Sequence, residues 1–137
     1  MDNINRIVVP VDNSDLSKKV VNKAVQLAKL LNLDIKLITI NDTQQFMSSV
    51  ILEDKLKKEA EAFLDEFVRI GSDKGINISF ELISGKASEE IVRFVNNDDL
   101  IVMAHMERKT GLDQFFSEDI SRDVVKNAPC SVFVIKN

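Results

Sequence analysis

Arg6-Ile7-Val8-Val9-Pro10-Val11-Asp12-Asn13-Ser14-Asp15 is the stretch that decides the fold. Its apolar run is continuous rather than alternating, which suits a strand buried on both faces of a parallel sheet. Pro10 lacks an N–H and falls near the strand end, where ladder bonding stops. Asn13-Ser14-Asp15 then carries helix-start chemistry, with Ser14 or Asn13 as the N-cap. Leu16, Val20, Ala24, Leu27, Ala28 and Leu31 recur at helical spacing, so an amphipathic helix is predicted from Asp15 to Asn32.

The same unit recurs outward from this stretch. Asp34 to Ile40 is rich in β-branched residues and reads as a second strand. After a loop through Asn41-Asp42-Thr43, a long helix is predicted from about Ser49 to Lys74, with Leu56, Ala60, Phe63, Leu64 and Phe67 on one stripe. Gly71 marks its fraying end and Gly75 its stop. Ile76 to Ile83 alternates, as an edge strand half-exposed to water does. Ala87 to Asn96 is a short helix, and Asp99 to Ala104 a central strand. A polar loop from His105 to about Gln114 leads to a helix ending near Asn127, broken by Ala128-Pro129, and Ser131 to Ile135 is the last strand. Strands alternating with helices read as a single-domain, doubly wound α/β fold over residues 1–137, with right-handed crossovers. No repeat, low-complexity tract or linker interrupts it.

A chain of 137 residues is near the common size of one domain. The lone Cys130 cannot form an internal disulfide, which fits a reducing cytoplasm. Met1 to Arg6 lacks the charged and apolar regions of a signal peptide. No apolar run approaches the roughly 18 residues of a membrane span. The 22 acidic and 18 basic side chains are mixed along the chain, whereas a nucleic-acid binder clusters its basic residues on one face. Eight Phe, with no Trp or Tyr, leave few platforms for stacking bases. A cytoplasmic protein with neither a nucleic-acid nor a membrane partner is expected.

Three signatures, in order, resemble the universal stress protein family along nearly the whole chain. Ile7-Val8-Val9-Pro10-Val11-Asp12-Asn13-Ser14 is similar to the family's first strand ending in Pro-Val-Asp-Gly-Ser. Gly85-Lys86-Ala87-Ser88-Glu89-Glu90-Ile91 resembles the opening of its third helix. Asp99-Leu100-Ile101-Val102-Met103 and Ala128-Pro129-Cys130-Ser131-Val132 resemble the segments Asp-Leu-Ile-Val-Met-Gly and Ala-Pro-Cys-Pro-Val. The resemblance implies a Rossmann-like, adenine nucleotide α-hydrolase-like parallel sheet of five strands, ordered 3-2-1-4-5, with helices on both faces. It also implies a homodimer through the last strand, here Val132, Phe133, Val134 and Ile135.

Many family members bind ATP where an open α/β sheet reverses its strand order, a place that general rules favour for ligands. By resemblance Asp12 lies near the adenosine, the Ile40 backbone meets the adenine, and Met103 ends the fourth strand beside it. The phosphates of ATP-binding members rest on a Gly-x-x-Gly turn and on a Gly-Ser or Gly-Thr pair at the start of the last helix. Glycine admits close backbone approach, and a helix start offers free N–H groups. Aligned back from Ala128-Pro129-Cys130, the turn glycines fall on Ala104 and Glu107, in a loop one residue longer than the family's. The Gly-Ser pair falls on Glu118-Asp119, while Thr110-Gly111-Leu112 survives. With Ser117 as N-cap, the two carboxylates occupy the first turn, where each stabilises a helix by about 0.3–1 kcal/mol. A like-charge pair at about 4 Å costs roughly 1 kcal/mol in water and about 4 at an effective dielectric of 20. A member that does not bind ATP in the family's phosphate geometry is therefore expected. No cofactor is expected; the alternative is ATP or AMP held by a variant phosphate loop, with Mg2+ bridging carboxylates to phosphates.

Other residues read more plainly. His105 is a polar loop residue, with no Ser or Cys partner near it in sequence. Cys130 is an inert small core residue, and Asp98-Asp99 cap a turn rather than hold a cation. Met47, Met103 and Met106 line core or cleft, and Phe115-Phe116 pack. No nucleophile, base and orienting group converge, so a regulatory binding protein rather than an enzyme is expected. A phosphoryl-accepting receiver domain has a similar layout, but Leu82-Ile83-Ser84 lacks its acceptor aspartate.

Overall fold

Chain order runs β1 (Arg6–Pro10), α1 (Asp15–Leu31), β2 (Ile35–Asn41), α2 (Val50–Ser72), β3 (Ile78–Ser84), α3 (Ala87–Phe94), β4 (Asp99–His105), α4 (Glu118–Asn127) and β5 (Ser131–Lys136). The computed structural model describes residues 3–41, 50–105 and 117–136. All pairings are parallel, and the sheet order is β3-β2-β1-β4-β5, as the family resemblance implies. Most element ends lie within two residues of their predicted places.

Successive strand residues point to opposite faces, so the continuous apolar runs supply two cores. Ile7, Val9, Leu37, Val102 and Ala104 face α1 and α2, where Val21, Ala24, Leu64 and Phe67 close over them. Val8, Ile38, Ile101 and Met103 face the other layer, formed by Ile91 of α3 and Val124 of α4. Burying a side chain such as these contributes about 1.5–3 kcal/mol each, so the central strands are the most firmly held. The edge strand β3 alternates from Ile78 to Leu82, with Ile78 buried, Phe80 and Leu82 half-buried and Ser79 and Glu81 exposed, until half-buried Ile83 breaks the pattern.

Local chemistry sets the helix ends. Ser14 caps α1, its Oγ accepting from Ser17 N at 3.1 Å, and Asn32 ends it in the left-handed region at φ 56°. Gly75 takes φ 75° after α2, the left-handed stop expected of it. Gly71 stands in the last turn of α2, as expected, and has a packing role besides. It lies buried within α2, and a Cβ there would come within 2.4 Å of Ile78 Cδ1 and 2.9 Å of Ile76 O. Its small size lets the last turn of α2, which ends at Ser72, approach β3.

Candidate functional site

The β1–β4 ladder ends at Val8 and Ile101, whereas β1–β2 continues to Pro10 and Ile38 and β4–β5 to His105 and Lys136. The two central strands thus lose their mutual bonding before their carboxyl ends, at the place where the strand order reverses. Carrying the β1–β2 register two residues past Pro10 puts Asp12 level with Ile40. The same step along β1–β4 puts Pro10 level with Met103. Three residues that stand far apart in sequence therefore share one end of the sheet.

Asp12 is half-buried and tightly held. Its Oδ1 accepts from Ser17 Oγ at 2.7 Å and from the hydroxyl of Ser14. Its own N–H donates to Ser17 Oγ at 2.8 Å. Ser17 is wholly buried in the first turn of α1, so the lock has a rigid base. Ile40 is half-buried and packs against the second core cluster. Met103 does not end its strand: His105 does, and the Met103 side chain is wholly buried in the core.

At the phosphate-loop positions, Ala104 is also wholly buried, in the first core cluster. Glu107 lies outside the described residues, as do Arg108, Lys109, Thr110-Gly111-Leu112, Met47, Met106 and Phe115-Phe116. Glu118 opens α4 and Asp119 follows it with an exposed side chain. Ser117 is the N-cap, its Oγ accepting from Ile120 N at 3.4 Å, as expected. Acidic residues thus stand where ATP-binding relatives are expected to carry Gly-Ser.

Two features escaped the sequence reading. His105 is strand rather than loop, and its Nδ1 shares a 2.8 Å hydrogen bond with the buried Ser121 of α4. The partner stands one helical turn inside α4, a proximity that only the docked helix creates. At the opposite end of the sheet, Asp99 does cap a turn, accepting from Asn96 N at 2.8 Å. It also pairs with Arg6, whose Nε and Nη2 reach its two oxygens at 2.8 and 3.1 Å. This bonding holds the Arg6 guanidinium above its ordinary pKa, and the ring of Phe94 lies 5.0 Å from it. Cys130 is half-buried just before β5, and desolvation, followed by the charge of Asp99, pushes its thiol up, away from the reactive thiolate.

Among the described residues no group of three His, Cys, Asp or Glu side chains is placed to hold a metal ion. A cleft of about 480 Å³ between α3 and α4 is lined by Lys86, Glu89, Arg93 and Asp123, charges of both signs, and includes none of the strand-end residues. A second groove, of about 360 Å³, runs between α4 and β5 past His105, Val125 and Val134.

The universal stress protein family model matches residues 3–136. The chain belongs to the universal stress protein family. A universal stress protein of Methanocaldococcus jannaschii is 31% identical over 139 residues, covering 96% of this chain and 81% of the relative. A universal stress protein from Archaeoglobus fulgidus, solved in complex with dAMP, superposes with a TM-score of 0.71 at 24% identity, covering 96% of this chain and 97% of that one. Another, solved in complex with cAMP, gives a TM-score of 0.74 at 18% identity and covers 98% of both chains. Membership gives the chain the family's general stress-response and regulatory role. Among the described residues no helix is long and apolar enough to cross a membrane.

Proposed function

We propose that this universal stress protein is a cytoplasmic regulatory protein that binds an adenine nucleotide where β1 and β4 part. The observation that carries the reading is the Asp12 carboxylate, pinned by Ser14 and Ser17 at the strand-order reversal. A polar acceptor fixed beside half-buried apolar residues such as Ile40 is the arrangement that orients a small ligand. Two similar folds carrying dAMP and cAMP lend the reading further support. The alternative of a nucleotide-binding member thereby gains more support than the expectation of one that binds no ATP.

The α4 start still shapes the ligand. Asp119 adds negative charge where phosphates would meet helix N–H groups, so a monophosphate meets less repulsion than a triphosphate. A triphosphate requires Mg2+, which arrives on the nucleotide and offsets its charge against the carboxylates. Isothermal titration with AMP, and with ATP in the presence and absence of Mg2+, tests this. AMP is expected to bind without metal and ATP to bind only with it. Heat-silent titrations for both nucleotides, with and without Mg2+, would overturn the reading.

The reading includes a homodimer through β5. This strand is an edge of the sheet, and Phe133 and Val134 are 45% and 37% exposed on its opposite faces. A bare apolar edge is stabilised by pairing with another strand. Ile135 packs into the chain's own core and Val132 is half-buried, so Phe133 and Val134 are the side chains that a second copy would cover.

A further inference from the structure

We propose that Ser17 is a positioning residue that sets which ligand group Asp12 can recognise, an inference that rests on the nucleotide reading above. The geometry is reciprocal. Ser17 Oγ receives the Asp12 N–H at 2.8 Å and returns its own proton to Asp12 Oδ1 at 2.7 Å. The backbone and the carboxylate of one residue are thereby tied to the same atom. That atom cannot drift, because Ser17 is wholly buried and sits in the first turn of a helix packed on the sheet.

The Ser14 hydroxyl also donates to Oδ1. Ser14 in turn uses its Oγ to accept from Ser17 N at 3.1 Å, so the three residues close on one another. Both hydroxyl donors are spent on one oxygen. Oδ2 is then the oxygen presented to a ligand, with its direction fixed before the ligand arrives. Preorganisation of this kind lowers the ordering cost of binding. An ionised carboxylate only accepts hydrogen bonds, so its ligand partner must donate. An adenine nucleotide offers such donors on its ribose hydroxyls and on its adenine amino group, whereas a phosphate is repelled; the ribose hydroxyls are the ones assigned to Asp12. Ser17 therefore acts through Asp12 to favour the sugar side of the ligand at this point.

A helix cap with no role in recognition would show the same bonds, so the test must separate the two. Affinities for AMP and for its 2′,3′-dideoxy analogue are measured by titration at a temperature where every variant is folded. Asp12→Asn and Ser17→Ala are each expected to weaken AMP about tenfold. The double variant is expected to be no weaker than Asp12→Asn alone, since the two residues act as one unit. The dideoxy analogue is expected to bind wild type and Ser17→Ala equally. The amide resonance of Asp12 reports independently that its acceptor has gone in Ser17→Ala.

Several results would overturn the assignment. One is a Ser17→Ala variant whose Asp12 amide shifts and whose melting temperature falls while AMP affinity stays at the wild-type value. Additive losses in the double variant, or an equal loss for the dideoxy analogue, would do the same. Wild-type protein that binds neither ligand would remove the nucleotide reading itself. That outcome is distinct, because the positioning role alone fails only when wild type binds and Ser17→Ala binds as well.

Discussion

Asp99 carries a charge at a side chain that is only 1% exposed, and that charge tolerates burial because Arg6 grips both of its oxygens. An unpaired buried carboxylate is costly, while a paired one roughly breaks even. Arg6→Ala is therefore expected to lower stability by about 3 kcal/mol, the low end for a broken buried pair, since Asn96 N still donates to Asp99. Urea unfolding measures it, and a loss well below 1 kcal/mol would show that the backbone donor suffices. The pair also ties β1 to β4 at the bottom of the sheet, because Arg6 and Asp99 are register partners in the β1–β4 ladder. Nothing in the local sequence announces this contact. Its members stand 93 positions apart, and the local pattern of Asp99 announces only a turn cap.

At the scale of the element, chemistry that is local in sequence was legible and contact between elements was not. Ser14 and Ser117 were identifiable as N-caps because a cap needs only its own side chain and the N–H a few residues on. The packing reason for Gly71 is not legible in the sequence because it lies across the α2–β3 contact. Alanine is favoured over glycine within a helix by about 1 kcal/mol, so propensity alone predicts that Gly71→Ala stabilises. The 2.4 Å approach to Ile78 reverses the sign. Overpacking costs about 1–3 kcal/mol, and the backbone oxygen of Ile76 limits relief. Gly71→Ala is expected to lower the melting temperature, and a variant that melts higher would show that α2 can shift away from β3. His105 belongs with this case, since a strand one residue longer than expected carries it to Ser121 on α4.

For the whole molecule, the sheet order leaves β3 and β5 as edges, and they are finished differently. β3 carries Glu81, paired with Lys36 at 3.6 Å, whereas β5 presents Phe133 and Val134. Charged edges resist pairing and apolar ones invite it. Phe133→Lys is thus expected to convert a dimer to a monomer in sedimentation analysis, with little change in the stability of the subunit. A wild-type monomer, or a variant that remains dimeric, would contradict association through β5. The sequence by itself determined the number, type and order of the elements, because burial on one or two faces writes its period directly into the apolar pattern. The strand order came from family signatures, and the ladders bear it out. Only the tertiary structure decided which residues meet: Asp12 with Ser17 through a turn, Arg6 with Asp99 across the sheet, and Gly71 with Ile78 between layers. Periodicity reports how each residue relates to water, whereas a contact depends on the register and docking of whole elements, which no single stretch of chain encodes.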